Sequence, residues 1–182
     1  MGLYLIAGSS GTGKSTMCAA LKERGFRALD IDDDGLARWQ HKETGYIHPK
    51  SSVKPHQRTV EFLGQHDWNV PRETLESLKD ETGDQATFIC GAIANIDAVA
   101  DLFTTIFALN VDEATLRHRL LTRTTNDWGK QPHELAQTLR WHKATNDSFI
   151  ERGAIMIDAT GSTDDTVAEI LDYLKLPTSS LK

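Results

Sequence analysis

Apolar residues occur in five short runs along the chain, separated by longer stretches of mixed polarity. The first run, Leu3–Ala7, is continuous, as expected for a strand buried on both faces of a parallel sheet. Similar runs return at 28–31, 87–90, 105–109 and 154–157. Between them, helical spacing predicts helices over 14–24, 72–79, 112–122, 133–150 and 163–174, with Asp112 and Thr163 as N-caps of two of them. This alternation of strand and helix predicts an α/β fold with right-handed crossovers.

Two polar segments interrupt the alternation. The first, 35–84, contains three prolines and is too long for a simple connection, so it predicts a small inserted subdomain. The second, 122–132, includes Asn126, Asp127 and Trp128 and is typical of a flap rather than of a core element. Both lie within what we expect to be a single domain, 1–182.

Composition narrows the class of protein. The chain has 182 residues, of which 39% are apolar and 25% charged, and its formal net charge is -6. The longest apolar run has five residues, which excludes a membrane span, and the acidic balance disfavours nucleic acid and membrane surfaces as partners. Cys18 and Cys90 stand alone, and the N-terminus lacks the pattern of a signal peptide. We therefore expect a cytoplasmic protein that binds a small molecule, with no obligate protein partner evident.

The strongest motif follows the first strand directly. Residues 8–15, GSSGTGKS, satisfy the pattern G-x-x-x-x-G-K-[ST] and lead into a predicted helix. In such a loop the backbone N–H groups surround phosphate oxygens, the lysine reaches the β- and γ-phosphates, and the serine hydroxyl binds Mg²⁺. The alternative is a glycine-rich turn that matches the pattern by chance, and the predicted strand before the motif and helix after it argue against this alternative. We therefore assign nucleotide binding to Gly8, Gly11, Thr12, Gly13, Lys14, Ser15 and Thr16.

An acidic cluster follows the second predicted strand. Asp30, Asp32 and Asp34 alternate there, at the carboxyl edge of the sheet, where ligands bind in open α/β folds. Carboxylates at this edge can orient Mg²⁺ or accept a proton from an acceptor hydroxyl. The alternative is a solvated acidic turn. Asp32 and Asp34 are equally good candidates for the acceptor site by alternation.

Arginines mark the predicted helix before the flap. Arg119 and Arg123 are four residues apart and share a face, and a planar, permanently charged guanidinium suits both base stacking and phosphate binding. The alternative is a basic solvent face that pairs with Asp112 and Glu113. Arg140, after the flap, has no assigned role.

Together these motifs resemble the P-loop small-molecule kinases of the adenylate kinase and shikimate kinase group. The resemblance implies a three-layer P-loop NTPase fold: a five-stranded parallel sheet of order 2-3-1-4-5, helices on both faces, an acceptor-binding insertion (35–84) and a lid (122–132). The pair Asp30 and Asp32 resembles shikimate kinase, in which the first Asp helps to hold Mg²⁺ and the second contacts the acceptor. The spacing of Arg119 and Arg123 is similar to the lid of adenylate kinase, where the first arginine packs on adenine and the second meets the phosphates.

The chain departs from the wider P-loop pattern at the third strand. That strand ends in Cys90-Gly91-Ala92 without a Walker B aspartate, so Mg²⁺ would depend on Ser15 and Asp30. Gly91 either lets an acceptor approach the backbone or simply ends the strand.

The insertion is rich in basic and aromatic residues. Arg38 and Arg58 could grip an anionic acceptor, whereas Trp39 and Trp68 either stack on a base or form the small core of the subdomain. Its histidines lack a tight metal-binding spacing, so zinc is not expected. The loop 158–162 either reads the base of the nucleotide or caps the next helix.

These expectations combine into an ATP- and Mg²⁺-dependent kinase with Lys14, Asp32 and Arg123 as catalytic residues. The acceptor residues would be Asp32, Asp34, Arg38, Arg58 and Gly91. A nucleoside monophosphate is the first expectation for the acceptor. The alternatives are an alcohol acceptor, as in shikimate or gluconate kinases, and a regulatory P-loop NTPase without a small acceptor.

Overall fold

The structure is a computed structural model that describes residues 2–50, 52–124 and 129–179. In chain order its strands and α-helices are β1 (Leu3–Ala7), α1 (Lys14–Glu23), β2 (Arg27–Asp30), β3 (Arg38–His41), α2 (Val60–Gln65), β4 (His66–Asn69), α3 (Arg72–Thr82), β5 (Thr87–Cys90), α4 (Ile96–Val99), β6 (Thr105–Asn110), α5 (Glu113–Thr122), α6 (Pro132–Glu151), β7 (Ile155–Asp158) and α7 (Thr163–Tyr173). Short 3₁₀ turns lie at Pro55–Gln57 and Ala100–Leu102.

The main sheet has five parallel strands in the order β2-β5-β1-β6-β7. Counted within this sheet alone, the order is 2-3-1-4-5, so the predicted fold class and topology are confirmed. β1 lies in the middle and all five of its residues are buried, because strands on both sides and helices on both faces cover it. The loop after β1 therefore opens at the centre of the carboxyl edge of the sheet.

Two hydrophobic cores cover the two faces of the sheet. Tyr4 and Ile6 of β1 point into the first core, which the buried residues of α1, α5 and α7 complete. Leu3 and Leu5 point into the second, against α3 and α4. Successive side chains of one strand thus enter opposite layers, which produces the three-layer arrangement.

Residues 35–84 contain two structurally different parts. β3 and β4 pair antiparallel as a separate two-stranded sheet, with Trp39 opposite Trp68 and their ring centroids 4.9 Å apart. Phe62 of α2 packs on Trp39 at 5.4 Å. By contrast, α3 buries Leu75 in the second core and belongs to the main layers. The assignment of this range to acceptor binding stays a prediction.

The helix caps are partly as predicted. Asp112 caps α5, because its side chain accepts a hydrogen bond from the Thr115 backbone N–H at 2.8 Å. For α7 the prediction of Thr163 was wrong: the N-cap is Ser162, whose backbone is extended and whose Oγ accepts from the Asp165 N–H at 3.1 Å. The helix begins at Thr163, one residue earlier than an N-cap at Thr163 would allow.

The predicted lid, 122–132, spans the end of α5 and the start of α6. Residues 125–128, which include Asn126, Asp127 and Trp128, lie outside the described residues. Within the part of the chain that the structure describes, no helix is both long and apolar enough to cross a membrane.

Candidate active site

The phosphate-binding loop joins β1 to α1. Gly13 is the N-cap of α1 and has a left-handed backbone, with φ 105° and ψ 15°. Gly11 also has a positive φ, 91°, and a Cβ atom there would lie 2.9 Å from Cδ1 of Leu116. Both positions therefore require glycine. Since the loop opens on the N-terminus of a helix, its N–H groups and the helix dipole favour an anion at this place.

Lys14 is held inside this loop. Its Nζ donates a hydrogen bond to the Ser9 carbonyl oxygen at 2.8 Å, and the side chain is half-buried. Burial lowers the pKa of Lys14 from 10.5 to about 8, although the negative charges of Asp32 and Asp30 oppose that decrease. Lys14 is thus a partly desolvated cation whose burial the two carboxylates offset only in part, and the negative charge of an incoming phosphate would further favour its charged form.

An open cavity of about 480 Å³ lies over the loop, within the size range of small-molecule sites. The predicted residues along its wall are Gly11, Thr12, Gly13, Lys14, Ser15, Thr16, Asp30, Asp32, Gly91, Arg119 and Arg123. Among the described residues that were predicted for the site, Gly8, Asp34, Arg38 and Arg58 lie outside this wall. The fold therefore brings the donor-side candidates together and separates them from several acceptor-side ones.

The acidic cluster folds into a tight turn after β2. Asp30 is buried, and its Oδ1 accepts from the backbone N–H groups of Asp32 at 2.9 Å and Asp33 at 3.2 Å. Asp34 turns back, accepting from the Asp30 N–H at 2.7 Å and from Lys22 at 3.2 Å. Asp34 is therefore engaged in closing the turn, whereas Asp30 and Asp32 face the cavity.

Trp68 connects the insertion to this cluster. Its indole Nε1–H donates a hydrogen bond to Oδ1 of Asp32 at 2.8 Å. The bond links β4 to the carboxylate expected to contact the acceptor. It uses one oxygen of Asp32 and orients the carboxylate at the cavity wall.

Two oxygen-bearing side chains at this cavity wall are suitable ligands for Mg²⁺. No group of three or more His, Cys, Asp or Glu side chains in the described residues could hold a metal ion. Mg²⁺ does not need such a cage, because it usually keeps several waters and binds through one or two carboxylates together with substrate phosphates. The Ser15 hydroxyl and the Asp30 carboxylate at one cavity wall provide hard oxygen ligands of that kind.

Arg119 lies in α5 and Arg123 is the C-cap of this helix, and the two contact different parts of the cavity wall. Arg119 donates to the Thr12 carbonyl at 3.3 Å and to the Ala159 carbonyl at 2.8 Å, so it ties the phosphate loop to the loop after β7. Arg123 Nη1 lies 3.3 Å from Ser10 Oγ, and burial lowers the pKa of its guanidinium. Arg140 is exposed on α6 and does not line the cavity.

The other acceptor candidates lie elsewhere. Arg38 donates to the carbonyls of Gly35 at 2.6 Å and Ala37 at 2.7 Å and borders a second, smaller cavity of about 190 Å³. The exposed Arg58 lies over the Trp39 ring at 5.8 Å. At Gly91, an added Cβ would lie 2.6 Å from Cβ of Ile31, so packing of β5 against the turn after β2 already requires glycine there.

One buried polar residue beside the loop was missed by the sequence reasoning. His142 of α6 is 7% exposed, and its Nδ1 lies 2.6 Å from Ser9 Oγ. A signal was present, because His142 follows the buried Leu135 by seven residues and Thr138 by four, which places it on the inner face of the helix. Ser9 lies 133 residues away in sequence, and only the fold brings the two together.

Comparison with known proteins agrees on the architecture. No family model and no curated protein sequence matches the chain. Three similar crystal structures are a sugar kinase from Janibacter sp. HTCC2649 (TM-score 0.55, 15% identity, 100% of this chain and 99% of that one), a shikimate kinase from Bacteroides thetaiotaomicron (0.62, 16%, 96% and 99%) and a gluconokinase from Sinorhizobium meliloti 1021 (0.55, 18%, 96% and 91%). At such identities the likeness shows a shared fold, one found in P-loop kinases of small molecules.

Proposed function

We propose that this protein is an ATP- and Mg²⁺-dependent phosphotransferase that moves the γ-phosphoryl group to an alcohol hydroxyl of a small molecule. The observation that carries this proposal is that a phosphate loop, with Lys14, and the carboxylate of Asp32, oriented by Trp68, lie at the wall of one cavity of about 480 Å³. The first expectation, a nucleoside monophosphate acceptor, has less support. The three similar structures are a sugar kinase, a shikimate kinase and a gluconokinase, all named for hydroxyl-bearing compounds.

On the donor side, each residue has a charge-based role. The loop N–H groups and Lys14 would hold the β- and γ-phosphates, and Arg123 would offset charge that develops during transfer. Ser15 and Asp30 would hold Mg²⁺, which when bound neutralises phosphate oxygens. Arg119, braced by the Thr12 and Ala159 carbonyls, would form the wall beside the base.

On the acceptor side, Asp32 would act as the general base. The acceptor oxygen forms a bond to the γ-phosphorus as the bond from that phosphorus to the bridging β,γ-oxygen breaks, and ADP leaves. The hydroxyl proton passes to Asp32, whose orientation Trp68 maintains. The product is a phosphate monoester.

The direct test is an ATP-consumption screen with product mass measured by mass spectrometry. Shikimate, gluconate and a set of sugars would be compared with nucleoside monophosphates, and Lys14→Met would serve as the inactive control. A phosphorylated alcohol supports the proposal. Transfer to a nucleoside monophosphate alone, or hydrolysis without any acceptor, would replace it with a nucleotide kinase or a regulatory NTPase, respectively.

A carboxylate substitution separates the two kinds of acceptor chemically. An alcohol must lose its proton, whereas a nucleoside monophosphate already presents an ionised oxygen. Asp32→Asn should therefore lower kcat for an alcohol acceptor by about 100-fold or more, which is the usual contribution of a general base. The matched control is Asp33→Asn, because Asp33 is exposed and lies outside the cavity wall. Equal rates in the two variants would remove Asp32 from the proposed mechanism.

A further inference from the structure

His142 connects α6 to the phosphate loop at Ser9, and neither residue lines the cavity. The residue is buried, and each of its ring nitrogens has a close partner. Nδ1 lies 2.6 Å from Ser9 Oγ, and Nε2 lies 2.9 Å from the Val111 carbonyl oxygen. The amide nitrogen of Asn146 lies farther from Nε2, at 3.4 Å, and donates to Asn110 Oδ1 at 2.7 Å. Ser9 is itself 9% exposed, so the contact is shielded from water.

The partners determine where the ring proton lies. The Val111 carbonyl can only accept, so the 2.9 Å contact requires the proton on Nε2. In the neutral imidazole, Nδ1 then carries a lone pair and accepts a hydrogen bond from the Ser9 hydroxyl. The opposite tautomer would place two acceptors, Nε2 and the carbonyl oxygen, against each other in a buried place.

Ser9 also contacts two residues of the candidate active site through its backbone. Its carbonyl oxygen accepts from Lys14 Nζ at 2.8 Å and from Thr12 Oγ1 at 3.0 Å. The side chain of Ser9 is thus held by α6, while its carbonyl holds two residues of the loop. Fixing both ends of Ser9 fixes the peptide orientation on which the position of Lys14 depends.

We infer that His142 is a positioning residue that holds the phosphate loop in its nucleotide-accepting form through the hydroxyl of Ser9. The inference rests on the proposed function, because it concerns the affinity of the same loop for Mg·ATP. In this inference the hydrogen bond between Nδ1 and Ser9 positions the loop, and the hydrogen bond between Nε2 and Val111 does not.

Two substitutions separate these two hydrogen bonds. An asparagine at 142 can place its carbonyl oxygen at the position of Nδ1 and keep the Ser9 bond. A glutamine is one carbon longer and can place its amide N–H near Nε2, which keeps the Val111 bond and loses the Ser9 bond. His142→Asn is therefore a rescue variant, and His142→Gln is its counterpart, with the same amide group and one more methylene.

The experiment measures the Kd for Mg·ATP by titration calorimetry, without an acceptor, and the urea midpoint of each variant. We expect His142→Gln to weaken binding about fivefold to tenfold, the effect of one buried hydrogen bond, and His142→Asn to stay within about twofold of wild type. Ser9→Ala removes the same bond from the loop side and should match His142→Gln. The double variant should be no weaker than either single one, because both remove one interaction. His118→Gln, at an exposed position of α5, serves as the control for the substitution itself.

The outcomes distinguish the inference from its premise. If wild type binds Mg·ATP and His142→Gln binds equally well, or if only the urea midpoints change, the role of His142 is structural and the inference is overturned. Weaker binding by His142→Asn than by His142→Gln would overturn it too, because that order assigns the effect to Val111. A wild-type protein that binds no Mg·ATP contradicts the proposed function itself, and the inference falls with it.

Discussion

Replacing Lys14 with methionine should stabilise the nucleotide-free protein while it abolishes transfer. The reason is the half-buried ammonium group, whose pKa burial lowers from 10.5 to about 8. At pH 7 the native state keeps this lysine charged in surroundings that disfavour the charge. Methionine has a similar length and no charge, so it removes the unfavourable interaction and retains most of the packing.

The magnitude follows from three contributions. A decrease from 10.5 to about 8 corresponds to about 3 kcal/mol of destabilisation by the charged form at pH 7. Part of the side chain still contacts solvent, which reduces this figure. The variant also loses the 2.8 Å hydrogen bond to Ser9, which contributes about 1 kcal/mol, although Thr12 still donates to that carbonyl. We expect Lys14→Met to raise the free energy of unfolding by about 1 to 2 kcal/mol at pH 7.

The assay is urea unfolding of both proteins at pH 7 and at pH 10. The pKa of Lys14 is lower in the native state, so between pH 8 and 10.5 the unfolded wild type binds more protons than the native one. Wild-type stability therefore gains from this group as pH rises, and the advantage of the variant should shrink towards pH 10. The comparison between variants cancels the other lysines, which titrate in both proteins.

Lys22→Met on the same helix is the matched control. Lys22 is exposed, and its salt bridge with Asp34 raises the pKa of its ammonium group. Its raised pKa gives the opposite sign: any stability it contributes is present at pH 7 and is lost as pH rises. Lys22→Met should therefore be neutral or slightly destabilising, by less than about 1 kcal/mol. A Lys14→Met variant that is no more stable than wild type at pH 7, or whose advantage is equal at both pH values, would contradict the prediction.

Three further predictions concern the loop and its neighbours. Gly11→Ala should lower the free energy of unfolding by about 1 to 3 kcal/mol in urea titrations, since its positive φ and the contact with Leu116 both oppose a side chain; an unchanged midpoint would contradict the geometry of the loop. Arg119→Lys should raise the Kd for ATP about tenfold, because one ammonium group cannot brace both the Thr12 and the Ala159 carbonyls. Equal affinity would show that this bracing does not contribute to ATP binding. Trp68→Phe should lower kcat for an alcohol acceptor without changing the KM for ATP, because Asp32 loses its indole donor; a change in the KM for ATP alone would contradict this.

The parts of the fold that were predictable have strong local signals. A strand buried on both faces must be continuously apolar, and β1 is, so it could be found without any knowledge of its partners. The phosphate loop can also be predicted from a short stretch of sequence, because its motif spans only eight residues, 8–15. β3 and β4 carry no such signal: their sequences, RWQH and HDWN, are polar, and each becomes a strand through pairing with the other. That pairing brings Trp39 beside Trp68, although the two residues are far apart in sequence and no local pattern predicts their contact.

The acidic cluster shows why alternation alone could not choose between Asp32 and Asp34. Alternation places residues two apart on one face only while the chain is a strand, and β2 ends at Asp30. Beyond it the backbone turns, with the Asp34 N–H donating to the Asp30 carbonyl at 2.9 Å, so Asp34 returns to the start of the turn and pairs with Lys22. Asp32 stays at the tip, where the indole of Trp68 from the insertion reaches it. Which of the two carboxylates lies at the cavity wall thus depends on where the strand ends, and the carboxylate there is oriented by a tryptophan 36 positions away. For this reason a substitution at Trp68 tests the role of Asp32 without altering the carboxylate itself.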